Sequence, residues 1–126
     1  MAAAPPQLHE LETEIMDEIW RADGASVREV LDALNARAQP QRAYTTILTV
    51  MQRLHAKDML RRERTGRKDL YLPTMTRGEY DEARAEAQVE ALVTEYGDLA
   101  LAKFSDRVAQ LDPDRRRQIV RLAQGR

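Results

Sequence analysis

The sequence predicts a mainly α protein that carries one small β-hairpin. Apolar residues recur every three to four positions in several segments, which places them on one side of a helix. A single Gly-containing stretch, 65–68, separates two short segments of alternating residues, a pattern typical of a hairpin. The 126 residues include only five Gly and five Pro, and 43% of them are hydrophobic. This composition favours a helical fold over a chain with many turns.

The first predicted helix covers residues 8–22. Its apolar positions share one face and are Leu8, Leu11, Ile15 and Ile19. Asp23 and Gly24 follow directly, and a glycine just past the last turn is a common end of a helix.

The second predicted helix begins at Ser26. Ser26 and Glu29 have the spacing of a capping box, in which the two side chains bond the free amides of the first turn. Pro40 marks the end of this helix. Its inward face consists of Val27, Val30, Leu31 and Leu34.

The third predicted helix, at about residues 43–57, has two unlike faces. The apolar face consists of Ile47, Val50, Met51 and Leu54. The opposite face is small, hydroxylated or cationic and consists of Thr45, Thr49 and Gln52, flanked by Arg42, Thr46 and Arg53. Threonine is a poor helix former, so three of them on one short helix indicate a role for the exposed face.

A predicted β-hairpin follows the third helix. Its strands lie at about residues 59–64 and 69–73. Leu60 and Tyr71, with Leu70 as a further candidate, are expected to face the helices, and the arginines of the hairpin are expected to face outwards.

The remainder of the chain is expected to be helical and separate. Thr76 and Glu79 repeat the capping-box spacing, Asp98 is expected to cap a further helix, and Asp112-Pro113 suits the start of the last one. The predicted parts are a disordered N-terminus at residues 1–7, a first folded domain at 8–75 and a separate helical region at 76–126.

Charge is distributed unevenly along the chain, although its net value is only −1. Residues 1–41 carry three basic and eight acidic groups, a net charge of −5. Residues 42–77 carry nine basic and three acidic groups, a net charge of +6, and residues 78–126 have a net charge of −2. A concentrated basic segment is typical of a face that binds a polyanion.

Three helices followed by a basic hairpin have the order of a winged helix-turn-helix, whose third helix enters the major groove of DNA. The residues expected to contact base edges and nearby phosphates are Thr45, Thr46, Thr49 and Arg53. Arg42 and Tyr44 are expected to contact phosphate, and Arg64, Arg67 and Lys68 belong to the wing. The alternative for each residue is an ordinary solvated surface.

Sites for other chemistry are not expected. Cysteine is absent, and the two histidines, His9 and His55, lack a partner at metal-ligand spacing, so no metal and no cofactor are predicted. The acidic run at residues 10–18 is interpreted as a solvated helix face, and no catalytic constellation is visible, so the protein is not expected to be an enzyme. No signal peptide and no membrane insertion are expected, which fits a cytoplasmic protein.

Four segments together resemble one known family. LETEIMDEIW at 11–20, SVREVLDAL at 26–34, AYTTILTVMQRLHAKDML at 43–60 and the GR…YLP wing at 66–73 resemble the BlaI/MecI penicillinase-repressor family. The resemblance implies a homodimeric transcriptional repressor that binds inverted-repeat operators of β-lactam-resistance and cell-envelope genes. It also implies derepression by a membrane zinc metalloprotease sensor, which cleaves at a bond that corresponds to Lys103-Phe104. The residue before that bond is Asn in the staphylococcal members of the family and Lys103 in this chain.

The apolar residues of the tail are expected to form a dimer interface. They are Leu92, Val93, Tyr96, Leu99, Phe104, Val108, Leu111, Ile119 and Leu122. The alternative is that these helices fold back on their own winged domain. For function, the alternatives are a winged-helix module that binds an acidic protein, a nonspecific architectural DNA binder and a repressor with a small-molecule effector.

Overall fold

The computed structural model describes residues 4–37 and 41–125 as six helices and two strands. The mainly helical fold with one hairpin is confirmed. The helices are α1 (Glu10–Ala22), α2 (Val27–Arg37), α3 (Tyr44–Ala56), α4 (Arg77–Tyr96), α5 (Asp98–Ala109) and α6 (Pro113–Gln124), and the strands are β1 (Leu60–Thr65) and β2 (Lys68–Pro73). Pro40, the expected end of the second helix, lies outside the described residues, and α2 ends at Arg37.

The core of the first part of the chain lies between α1, α2, α3 and the hairpin. The predicted apolar face of α3 is buried throughout, with Ile47, Met51 and Leu54 fully enclosed. Ile15 and Ile19 of α1 are also fully enclosed, because their helical spacing directs both towards the other two helices. Burial of apolar side chains from all three helices fixes α3 in one orientation, with its opposite face outwards.

Local sequence signals set the ends of the first two helices. The N–H group of Ser26 donates to Glu29 Oε1 at 2.8 Å, and the N–H group of Glu29 donates to Ser26 Oγ at 3.2 Å, so the predicted capping box is confirmed. At the end of α1, Asp23 and Gly24 both have positive φ, of 57° and 110°. A side chain at Gly24 would also approach Leu72 to 3.3 Å, so this end of the helix requires glycine.

The two strands form an antiparallel hairpin that packs on the helices and hydrogen-bonds the backbone at Ala25. Leu60 pairs with Pro73, and Thr65 pairs with Lys68 across the turn. Ala25 exchanges two backbone hydrogen bonds of 2.9 Å with Tyr71, as an isolated bridge between the α1–α2 connection and β2. Leu60 and Tyr71 are buried as predicted, so the hairpin packs one face on the helices. The remaining residues of β1 are exposed, whereas most of β2 is half-buried.

The chain forms two compact units, one extending to Arg84 and the other beginning at Ala85. The first two turns of α4 therefore belong to the winged unit. Thr76 and Glu79 form the predicted capping box at the start of this helix. Nearby, Trp20 Nε1 donates to the Met75 carbonyl at 2.9 Å, and the Tyr80 hydroxyl donates to the Pro6 carbonyl at 2.8 Å. These bonds hold residues 75–80 and the segment before α1 on the winged unit.

The second unit consists of the rest of α4, α5 and α6. Asp112 caps α6 by accepting from the Arg115 N–H at 2.9 Å, with Pro113 in the first turn, as predicted. The expected cap of α5 is wrong by one residue. Gly97 is its N-cap, with φ of 61°, and Asp98 is the first helical residue, because a tight reversal after α4 needs a residue that tolerates positive φ.

Candidate nucleic-acid interface

The outward face of α3 presents the side chains that the sequence predicted. Thr45, Thr46, Thr49 and Arg53 are all exposed. The apolar residues on the opposite side of the same helix are buried, so the helix cannot rotate about its axis without exposing its core face. The arrangement provides hydroxyl groups, methyl groups and one guanidinium on a convex helical surface, which are the groups that read base edges in a major groove.

The start of α3 is held by a residue that sequence reasoning missed. The Asn35 side chain donates from Nδ2 to the Arg42 carbonyl at 3.0 Å and accepts the Arg42 N–H on Oδ1 at 2.8 Å. The N-cap of α3 is Ala43, which has no side chain able to bond the amides of the first turn. Asn35 therefore fixes the chain immediately before α3 and leaves the helix N-terminus open to an anion.

Arg42 and Tyr44 occupy different surroundings. The Arg42 guanidinium is mostly covered and lies 3.4 Å from Glu14 Oε2 of α1. Its buried Nε has no hydrogen-bond partner among the residues that the structure describes. Tyr44 is exposed, and the Arg28 guanidinium carbon lies 5.1 Å from the centre of its ring. Arg28 thus joins the candidate interface, a role that the sequence pattern did not indicate.

The predicted wing residues are exposed at the tip of the hairpin. Arg64 lies 3.4 Å from Asp69, and Lys68 Nζ lies 3.8 Å from Glu29 Oε2 of α2. Arg67 has no carboxylate partner within residues 4–37 and 41–125. All three cations lie in or beside the turn, so the hairpin presents positive charge at its tip.

Helix and wing meet around a shared hollow. A cavity of about 270 Å³ is lined from three elements, by the start of α2, the first turns of α3 and the hairpin turn. Arg28, Arg67 and Lys68 contribute cations to its rim, and Tyr44 contributes a ring. The fold thereby brings cationic residues that are 40 positions apart in the sequence to one surface.

Two acids of α1 contradict the expected solvated face. Glu12 and Glu18 of α1 are buried, with exposed fractions of 3% and 4%. Glu12 Oε2 accepts from Lys57 Nζ at 2.8 Å, and Glu18 accepts from Arg21 and Arg37 at 2.6 and 2.7 Å. Counting acids along the chain could not show that cations from other segments cover these two.

Both buried carboxyl groups have lowered pKa values. Burial raises the pKa of Glu12, but hydrogen bonds from the His9 N–H and from Lys57 outweigh it, and the pKa lies below its usual 4.5. The hydrogen bond from Arg21 is the largest influence on Glu18, and with that from Arg37 it outweighs burial and lowers this pKa also. Both groups are therefore charged at neutral pH and stabilise the scaffold behind the candidate interface.

The predicted dimerisation residues lie mainly on the surface of the isolated chain. Leu92, Tyr96, Leu99, Phe104 and Leu122 are exposed, and Val93, Val108, Leu111 and Ile119 are half-buried. Lys103 is exposed within α5, beside Phe104. The second unit thus exposes several large apolar side chains, and exposed apolar patches of this kind are typical of interaction surfaces.

Other kinds of site find no support in the described residues. His9 and His55 are both exposed, and residues 4–37 and 41–125 contain no cluster of three or more His, Asp or Glu suited to a metal ion. Over the same residues, each helix is too short or too polar to span a bilayer.

Three helices, a β-hairpin wing and an exposed threonine and arginine face on the third helix define a winged-helix DNA-binding protein. The chain belongs to the penicillinase repressor family, whose sequence profile matches residues 8–125. It is 36% identical over 125 aligned residues to the transcriptional regulator BlaI of Mycobacterium tuberculosis, an alignment that covers 94% of this chain and 87% of that protein. The family consists of DNA-binding transcriptional repressors and not of enzymes.

Two solved structures resemble the winged unit. The DNA-binding domain of the repressor BlaI superposes with a TM-score of 0.52 at 29% identity, covering 64% of this chain and 94% of that domain. Monomeric Bacillus licheniformis BlaI in complex with the blaP half-operator superposes with a TM-score of 0.51 at 29% identity, covering 60% of this chain and 90% of that one. The predicted family and winged-helix fold are confirmed.

Proposed function

We propose that this protein is a homodimeric repressor that binds inverted-repeat operators through α3 and the wing. The observation that carries the proposal is the exposed face of Thr45, Thr49 and Arg53 beside the cationic hairpin turn. The similar BlaI of B. licheniformis is bound to a half-operator as a monomer, which supports one winged unit for each half of an operator.

The roles proposed for individual residues follow from their positions. Thr45, Thr46, Thr49 and Arg53 contact base edges and adjacent phosphates, because they project from the convex face of α3. Tyr44 contacts a phosphate of the DNA backbone beside the first turn of α3. Arg42 also contributes positive charge there, although its side chain lies against Glu14 in the free protein. Arg64, Arg67 and Lys68 bind phosphates beside the groove.

Residues 8–75 are proposed to act as the DNA-binding domain and residues 76–126 as the dimerisation region, of which 76–84 belong to the compact winged unit. A two-fold dimer places two copies of α3 about 34 Å apart, one helical turn of DNA, so that each reads one half of a palindrome. The exposed apolar residues of α4, α5 and α6 favour this arrangement over a tail that is complete within one chain.

The proposed circuit acts in the cytoplasm on β-lactam-resistance or cell-envelope stress genes. Derepression is proposed to occur through a membrane zinc metalloprotease that cleaves Lys103-Phe104. This bond lies inside α5, so α5 must open locally before a protease can bind it as an extended strand. Loss of the second half of the tail would then dissociate the dimer and release the operator.

A competition binding experiment tests the central proposal. The protein is first used to enrich binding sequences from a pool of randomised duplexes, and the enriched duplex is then competed with a scrambled duplex of equal composition. We expect an inverted repeat and a preference of at least about 10³-fold. Equal affinity for both duplexes would reject specific repression and favour an architectural DNA binder. Absence of binding to either would favour a module that binds an acidic protein.

A further inference from the structure

The outer side of α6 carries a shallow groove with a cationic border. It encloses a space of about 470 Å³ and is lined by the apolar residues Pro113 and Val120 and the cationic residues Arg116, Arg117 and Arg121. Val120 is 49% exposed, although valine is usually found in a core. The groove therefore suits a partner with an apolar ridge and negative charges beside it.

Charge in the second unit is segregated by helix. Residues 113–124 of α6 contain four arginines and one aspartate, a net charge of +3. Residues 85–96 of α4 contain Glu86, Glu90 and Glu95 and no basic residue, a net charge of −3. These two segments thus carry equal and opposite charge, while α5 carries two charges of each sign.

The surface of α4 is complementary to the α6 groove in its layout. Glu86 and Glu90 are four residues apart and form an acidic row along the helix. Val89 and Val93 form the next row, and Leu92 and Tyr96 form the row beyond it, because each pair is also four residues apart. All of these side chains except Val93 are exposed in the single chain. An apolar ridge thus runs beside an acidic row.

We propose that α6 of one chain docks on α4 of a second copy of the same chain. In this contact Val120 packs on the apolar rows of α4, and Arg117 and Arg121 face Glu86 and Glu90. Both surfaces remain exposed in the isolated chain, so neither is already covered by the other. Two complementary surfaces on one sequence make a contact that occurs twice in a two-fold dimer. The inference rests on the proposed homodimer and assigns the helices that pair in it.

Charge reversal in two separate variants gives a sharp test. The first variant, Arg117→Glu/Arg121→Glu, makes both contact surfaces acidic, and the second, Glu86→Arg/Glu90→Arg, makes both basic. In a homodimer of either, like charges meet at both contacts, so we expect dimer dissociation constants at least about tenfold higher than for the wild type. A mixture of the two variants restores opposite charges at both contacts. We expect the mixture to form heterodimers with near wild-type affinity in sedimentation and native mass spectrometry.

The controls separate pairing from general effects of charge. Arg61→Glu/Arg62→Glu makes the same change on the hairpin and should leave the dimer unchanged. Circular dichroism checks that each variant keeps its helices. If a reversed variant loses them, the neutral pair at the same positions, Arg117→Gln/Arg121→Gln or Glu86→Gln/Glu90→Gln, replaces it. The salt dependence of the wild-type dimer is a further measurement. Added salt screens ion pairs at the contact, so the dimer dissociation constant should rise with salt concentration.

Each outcome bears on a different claim. If both reversed variants remain dimers, the pairing of α4 with α6 is wrong and the homodimer stands. If mixing fails but a chain with all four substitutions recovers its dimer, the helices pair within one chain and the proposal is overturned. If the wild type is a monomer at every concentration, the proposed homodimer fails, and the pairing fails with it.

Discussion

Lys57, at the C-cap of α3, donates a 2.8 Å hydrogen bond to the buried carboxylate of Glu12 in the first turn of α1. The other oxygen of Glu12 accepts the His9 N–H at 3.0 Å. One carboxylate therefore joins the start of α1 to the end of the helix that carries the candidate interface. The contact ties the position of α3 to the scaffold at the end opposite to Asn35.

Replacing Lys57 by methionine is expected to destabilise the protein by about 2 kcal/mol, because it leaves the Glu12 carboxylate buried without a cation. The value is below that for a fully enclosed pair, since the Lys57 side chain is 32% exposed. Urea denaturation measures the change. Lys103→Met, on the exposed surface of α5, is the control and should change stability by less than about 0.5 kcal/mol. Equal effects of the two substitutions would contradict a role for the Glu12 contact.

Stability is expected to fall in acid because of Glu12 and Glu18. Both pKa values are lowered in the folded protein, so the stabilisation is complete above the ordinary pKa of 4.5. It is lost as the pH falls through the lowered folded-state values. Thermal unfolding followed from pH 7 downwards should therefore show a nearly constant midpoint to about pH 5 and a decline below. The Glu12→Gln variant should be less stable at neutral pH and decline less in acid. A parallel decline in both proteins would contradict the assignment.

Much of the fold was predictable because it depends on short-range patterns. The two faces of α3 follow from the 3.6-residue period, and the capping boxes at Ser26 and Thr76 need only a partner three residues away. The hairpin follows from alternation around Gly66. Each of these signals lies within a window of a few residues, so a single sequence is enough to see it.

The contacts that position the candidate interface depend on the folded chain. Lys57 lies 45 residues from Glu12, and its sequence neighbours do not indicate that it would cover a carboxylate of α1. Asn35 contacts the backbone of Arg42, and a backbone group leaves no trace in the side-chain pattern. Composition therefore predicted a solvated acidic face where the structure has two buried ion-paired acids.

Replacing Asn35 by alanine is expected to lower the preference for an enriched duplex over a scrambled duplex by about tenfold, a change of about 1.4 kcal/mol. The reason is that the residue before α3 loses both hydrogen bonds that hold it, so the first turn of α3 is no longer fixed against the groove. The preference is measured by competition binding and compared with stability in urea.

Thr74→Ala is the matched control for Asn35. The Thr74 hydroxyl bonds the Asp58 carbonyl at 2.7 Å, just beyond the opposite end of α3. The loss of this hydroxyl should lower the free energy of unfolding by about 1 kcal/mol, as for Asn35→Ala, and leave the preference for the enriched duplex intact. If the two variants lose preference equally, Asn35 serves stability alone.

Helix and wing residues are expected to differ in what they contribute to DNA binding. Thr49→Ala and Arg53→Ala should each cost about 1–3 kcal/mol on the enriched duplex and little on the scrambled one, because they remove contacts to base edges. Arg67→Ala should weaken both duplexes alike and reduce the slope of log affinity against log salt by about one. Titrations at several salt concentrations measure both effects. The reverse pattern would exchange the roles assigned to α3 and the wing.

Replacing Phe104 by glutamate is expected to produce a monomer whose winged unit remains folded. Phe104 is 38% exposed in the single chain, and it belongs to the predicted dimer interface. A charge there costs little in a monomer, but it would have to be desolvated on association. Sedimentation should show a single chain, and the melting of the winged unit should be unchanged, because its core lies in a separate compact unit.

On an inverted repeat the variant should lose most affinity, whereas on an isolated half-site it should match the wild type, since only the linkage between the two copies of α3 is removed. A variant that sediments as a dimer would place the interface elsewhere in the chain.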